Sequence, residues 1–147
     1  KQQGSGMIIN VSSVAGHLPI PFGAAYSATK FALNAIGKAA GVELRSAGIH
    51  VMTVCPGYVR TDFDSNAVKG QEARQIRQAQ RGITGERVAR AVFRAYAKRK
   101  REVVVPWTLH PVIKLYQLFP GVVEWGMARR ISGGETQSQA AQRSTGS

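Results

Sequence analysis

The chain has 147 residues, and its composition is ordinary for a globular protein apart from a net charge of +12 and a pI near 10.7. That length suffices for one domain with a sizeable core. The single cysteine, Cys55, excludes an intrachain disulfide and a zinc cluster, fits a reducing compartment and predicts a buried, inert thiol. No apolar run approaches the roughly 18 residues of a membrane span, and the opening residues do not read as a signal peptide. A cytoplasmic protein is expected.

Residues 1–6 (Lys-Gln-Gln-Gly-Ser-Gly) lack an initiator Met and read like a loop inside a longer protein. Residues 7–11, short, β-prone and mostly apolar, predict a buried parallel strand. A loop rich in Ser, Gly and Pro follows to Gly23. Residues 24–47 predict a long helix closed by Gly48 as its C-cap. Residues 49–54 form a second β-branched run, stopped by Cys55-Pro56-Gly57. Strand, helix and strand with short joins make a βαβ unit with parallel strands. Phe31, Leu33, Ile36, Ala39, Ala40, Val42 and Leu44 spread beyond one stripe, which predicts burial on two sides, one against the sheet and the other against a second subunit or an absent part of the same chain. A homo-oligomer through this helix is expected.

Asp62 opens a polar segment read as a short helix to about residue 80, with Asp62 as its N-cap. Residues 84–100 predict an amphipathic helix, Val88, Ala91, Val92 and Ala95 inward and Arg87, Arg90, Arg94 and Lys98 outward. A third strand is expected at 103–105. Residues 107–131 are rich in Leu, Val, Tyr, Phe and Trp, and Pro111 and Pro120 divide them into short helices. Residues 132–147 are rich in Ser, Gly, Gln and Thr, which predicts a disordered tail after a structured part at 1–131.

Chemistry concentrates at one rim. Ser12 and Ser13 end the first strand, Pro56-Gly57 ends the second, and the long helix starts at the same edge. In open parallel sheets the ligand crevice lies outside the C-terminal strand ends. Tyr26 and Lys30 stand four residues apart on that helix and so share a face. A phenol with a reference pKa near 10 is a poor proton donor at neutral pH, and a nearby cation favours its phenolate form. The pair can therefore act as an acid/base site.

These residues carry a resemblance. Ile8-Ile-Asn-Val-Ser-Ser-Val-Ala-Gly16, Tyr26-Ser-Ala-Thr-Lys30 and Pro56-Gly-Tyr-Val-Arg-Thr61 together resemble the catalytic half of the short-chain dehydrogenase/reductase family. The family's pattern is a serine, a tyrosine thirteen residues later and a lysine four further on, which selects Ser13 over Ser12. The resemblance implies an α/β fold, a Rossmann-like doubly wound parallel sheet of which this chain supplies the C-terminal part. It implies an oxidoreductase that interconverts a carbonyl and an alcohol with NAD(P)(H), NAD or NADP undetermined. Tyr26 would be the general acid/base, and Ser13 the hydroxyl that bonds the substrate oxygen. Lys30 would bond the nicotinamide ribose and favour the tyrosine's phenolate. Pro56, Gly57, Val59 and Thr61 match the loop at the nicotinamide end, with backbone at Val59 and the hydroxyl at Thr61. His17 falls where the substrate pocket would be lined. A turn-capping role fits Ser12 better than Ser13.

The family's glycine-rich turn (Gly-x-x-x-Gly-x-Gly) and its Asn-Asn-Ala-Gly stretch have no match in these residues. The cofactor-binding strands are thus expected outside this sequence, and the chain alone is expected to be inactive. The spacing of His17, His50 and His110 predicts no metal site. Residues 66–147 carry fifteen Lys and Arg against five Asp and Glu, so the second half is strongly basic. Trp107, Leu109, Val112, Ile113, Leu115, Tyr116, Leu118 and Phe119 suit the wall of a pocket for an apolar small-molecule substrate. With Lys114, Arg129 and Arg130 they also suit weak peripheral contact with an anionic membrane. The alternative function is therefore a truncated, non-enzymatic module that binds such a membrane. Charge without a reading motif gives no ground for nucleic-acid binding.

Overall fold

The computed structural model describes residues 1–60 and 82–144, with side chains through residue 132. Thr61 and the segment expected as a helix after Asp62 lie outside the described residues. Two compact units meet in sequence between His110 and Pro111.

The first unit holds β1 (Gly6–Val11), α1 (Ala24–Glu43), β2 (Ile49–Pro56), α2 (Gly85–Ala97) and β3 (Glu102–Val105). The strands form a parallel sheet in the order β1-β2-β3, with β1 and β2 in register from Gly6↔Ile49 to Val11↔Val54. β2 and β3 pair from Thr53↔Glu102 to Pro56↔Val105. β2 is central and buried, and its side chains alternate between two covered faces. Met52 and Val54 pack with Ala95, Val88 and Val92 of α2 and with Val103. Val51, Thr53 and Cys55 point the other way, to α1. A sheet with helices on both faces and parallel strands is the Rossmann-like α/β arrangement.

β1 departs from the expected buried strand. Ile8, Ile9 and Val11 are exposed, because among the described residues no strand pairs with its outer edge. The long helix also ends earlier than expected: α1 stops at Glu43, and Arg45–Ala47 tighten into a 3₁₀ turn. Gly48 still terminates the segment in the left-handed conformation (φ 70°), and a Cβ there would collide with the Gly4 carbonyl. Thr84 caps α2, its hydroxyl accepting the Arg87 N–H at 3.3 Å.

α1 reaches the sheet through small and polar residues. Its buried positions are Ser27, Asn34 and Gly37, whereas Phe31, Ile36 and Val42 are exposed. A Cβ on Gly37 would lie 2.6 Å from Thr53 Oγ1, so the helix approaches the strands too closely for larger side chains.

The second unit contains α3 (His110–Leu118), which starts at the unit boundary, and α4 (Pro120–Ser144). Pro111 and Pro120 sit at helix starts, where a missing N–H costs nothing. The Tyr116 hydroxyl donates to Glu124 Oε1 at 3.4 Å, and the Arg129 guanidinium stacks 4.8 Å from the Trp125 ring. Helical backbone continues through residues 132–144, where the composition predicts a disordered tail.

Candidate active site

Ser12 and Ser13 follow the last residue of β1, and both are buried. Ser12 N–H is tied to the Val54 carbonyl at 2.7 Å, which extends the β1–β2 ladder by one bond. The Ser12 hydroxyl donates to the Lys30 carbonyl at 3.3 Å. Ser13, not Ser12, is the cap: its Oγ accepts the Ala15 N–H at 3.1 Å and heads the 3₁₀ turn Val14–Gly16. The same hydroxyl lies within 3.4 Å of the Pro56 carbonyl, to which it donates. Ser13 therefore links the end of β1 to the turn that ends β2.

Lys30 faces the same rim. Its Nζ donates to the Val11 carbonyl at 3.2 Å and lies 5.6 Å from the centre of the Tyr26 ring. An ammonium has three donors, so one bond to Val11 leaves others for a ligand. At that separation the cation is attracted to the ring face. Tyr26 and Lys30 are each half-buried.

The turn after β2 is firmly seated. Gly57 N–H bonds the Val105 carbonyl at 2.7 Å, and a Cβ on Gly57 would come within 2.8 Å of Leu109. Val59 forms a parallel bridge with Ile83. Its two bonds use the Tyr58 carbonyl and the Arg60 N–H, leaving the peptide groups of Val59 itself out of the bridge.

His17 follows the 3₁₀ turn that Ser13 caps. It is buried, and its Nε2 lies 3.5 Å from Glu102 Oε2 at the start of β3. Cys55 joins them from β2, with the three donor atoms all within 4.8 Å of one another. Burial pushes the Cys55 thiol up to about 12, helped by the Glu102 charge and opposed by Lys38, the Asn34 hydrogen bond and Lys30.

Asn34 is a residue that sequence reasoning missed. Its amide donates to the Gly16 carbonyl at 2.8 Å, and its Oδ1 accepts from Cys55 Sγ at 3.8 Å. Its signal was present, since 26, 30 and 34 repeat the i, i+4 step along one helix face. A Cβ on Gly16 would lie 2.5 Å from Asn34 Nδ2 and 2.7 Å from the Lys30 carbonyl, so the serine loop and α1 touch directly.

A family model described as short chain dehydrogenase matches residues 1–72. A Danio rerio protein named dehydrogenase/reductase SDR family member 7B is 35% identical over 133 residues, covering 87% of this chain. The chain belongs to the short-chain dehydrogenase/reductase family. A Drosophila melanogaster relative named dehydrogenase/reductase SDR family protein 7-like is 31% identical over 134 residues. The chain spans 43% of the zebrafish relative and 41% of the fly one. Among solved structures, a short-chain dehydrogenase from Sphingobium yanoikuyae in complex with NADPH superposes with a TM-score of 0.65 at 25% identity, covering 86% of this chain and 46% of that one. A family member from Burkholderia phymatum in complex with NAD shares the fold with a TM-score of 0.69 at 23% identity, covering 79% of this chain and 48% of that one.

Proposed function

We propose that these residues form the acid/base and nicotinamide-facing part of an NAD(P)(H)-dependent oxidoreductase that interconverts a carbonyl and an alcohol. The observation that carries the reading is Lys30, whose ammonium lies over Tyr26 while bonded to Val11, two residues before Ser13. In this reading phenol, ammonium and serine hydroxyl serve one site at the C-terminal end of β1.

The local chemistry fits a nicotinamide nucleotide. Gly57 keeps the turn free of a side chain, the peptide groups of Val59 are outside its bridge to Ile83, and Lys30 has donors to spare for ribose hydroxyls. Thr61 belongs to the same reading by sequence. Relatives in complex with NADPH and NAD support the cofactor class and leave the choice between them open. When bound, the nicotinamide supplies or accepts the hydride.

The chain's own residues handle the oxygen. Tyr26 gives its proton to the carbonyl oxygen in reduction and takes the alcohol proton in oxidation. Ser13 donates a hydrogen bond to the same oxygen as charge develops on it, exchanging its bond to Pro56 for one to substrate. Lys30 holds positive charge beside the phenolate.

In a protein that joins these residues to a phosphate-binding glycine turn, Tyr26→Phe should lower turnover by about 10²–10⁴-fold while nucleotide still binds. Steady-state assays with a fluorescence titration of NADPH measure both. Near-normal turnover in that variant refutes the role of Tyr26. Without such a turn, the 147-residue chain should show negligible turnover.

One further reading has its own observation. Leu118, Phe119, Val122 and Trp125 are exposed in the second unit near Arg129 and Arg130, a combination that suits the interface of an anionic membrane. Exposed Phe31, Ile36 and Val42 on α1 likewise support a second subunit against that helix.

A further inference from the structure

We propose that His17, Cys55 and Glu102 form a binding site for a divalent transition-metal ion, zinc by the chemistry of its donors. The three come from the loop after Ser13, the end of β2 and the start of β3. They are 38 and 47 residues apart in sequence, which is why spacing along the chain gives no sign of them. A single cysteine rules out a multi-cysteine cluster but not a mixed site of one nitrogen, one sulfur and one oxygen, the ligand types that zinc accepts.

The geometry is close to what coordination requires. Donors around tetrahedral zinc, at about 2.0–2.3 Å from the ion, are separated by roughly 3.3–3.7 Å. The His17 Nε2 to Glu102 Oε2 distance is 3.5 Å, already in that range. All three donor atoms lie within 4.8 Å of one another, so a movement of about an ångström at the sulfur completes the set. Asn34 Oδ1, 3.8 Å from Cys55 Sγ and held by the bond from its own amide to Gly16, is an oxygen at hand for a fourth position.

Charge points the same way. A carboxylate and a thiolate together neutralise a divalent cation, and His17 ligates as the neutral imidazole. Binding sends the thiol proton to solvent, so the site changes by one ion gained and one proton lost. His17 and Cys55 are buried, while Glu102 also lines a cleft of about 270 Å³ shared with Gly37, Lys38 and Thr53, which gives the ion a way in. Lys38 and Arg101 also line this cleft, and their repulsive charges are what the Glu102 carboxylate and the thiolate formed on binding must offset. Cys55 immediately precedes Pro56, and His17 closes the turn that Ser13 caps. A bound ion would therefore clamp the serine loop to both strand ends.

Cobalt(II) titration of the purified full chain, free of chelators and kept reduced, tests the site. One equivalent should give a sulfur-to-cobalt charge-transfer band in the near ultraviolet with visible bands of tetrahedral intensity, and zinc should bleach both. Cys55→Ala should abolish the charge-transfer band, and Glu102→Gln should weaken binding at least ~10-fold. His50→Ala, outside the trio, should bind as the parent does. Circular dichroism of each variant separates loss of binding from loss of fold, and the parent spectrum decides the matter even if a variant unfolds. Absence of the charge-transfer band in the parent, or an unchanged band in folded Cys55→Ala, overturns the proposal and leaves a histidine–glutamate ion pair beside an inert thiol.

Discussion

At the scale of single residues, Asn34 does the most for the rim without belonging to the expected chemistry. It is almost fully buried, and its amide satisfies the Gly16 carbonyl while its oxygen receives the Cys55 thiol. Truncation would leave a buried carbonyl without its donor, and a lost partner costs more than the bond itself contributes. Asn34→Ala should destabilise the fold by about 1–3 kcal/mol in chemical denaturation. A change under about 0.5 kcal/mol would mean that the loop does not depend on this bond. Tyr26, Lys30 and Ser13 could be proposed in advance because their spacing is written along the chain, and the structure brings Lys30 to the end of β1 and over the Tyr26 ring. The i, i+4 step put Asn34 on the same helix face, but its partners Gly16 and Cys55, like the meeting of His17 with Glu102, come from neighbours that only the folded sheet brings near.

At the scale of elements, α1 shows where periodicity misleads. Its apolar residues predict a side against the sheet, yet the sheet receives Ser27, Asn34 and Gly37 while Phe31, Ile36 and Val42 are exposed on this chain. Close approach is the reason: a helix seated this near to strands must present small residues, however many large apolar ones it carries elsewhere. Gly37→Ala places a Cβ 2.6 Å from Thr53 Oγ1 and 3.0 Å from Asn10 Nδ2, which should lower stability by about 1–3 kcal/mol. Gly41→Ala meets only the Val51 Cβ at 3.7 Å, and its better helix propensity should make it neutral or mildly stabilising. Equal thermal midpoints for the two variants would contradict this account of the packing. The element types and most boundaries followed from β-branched runs, glycines and prolines. The end of α1, the exposure of β1 and the helical backbone past residue 131 did not, because each depends on what lies beside the segment rather than within it.

At the scale of the whole molecule, charge is the dominant feature. The net +12 is concentrated in residues 66–147, and the exposed Leu118, Phe119, Val122 and Trp125 lie within that half. Among the described residues no helix is long and apolar enough to cross a membrane, so any membrane contact by these helices would be peripheral. Co-sedimentation with vesicles should then show binding to anionic lipid that falls as salt rises, with little binding to neutral lipid. Equal, negligible binding to both would dismiss the membrane reading and leave the basic half as a solvated surface.

The parallel register has a kinetic consequence. Gly6 pairs with Ile49 and Thr53 with Glu102, so the strands of each ladder come from positions 43 and 49 residues apart. Chain entropy separates two closures of those lengths by only about 0.1 kcal/mol, too little to decide which forms first. No hairpin can nucleate this sheet, and both ladders must wait for β2. Folding should therefore be slow for a protein of this size, with β2 as the strand whose substitutions most retard it.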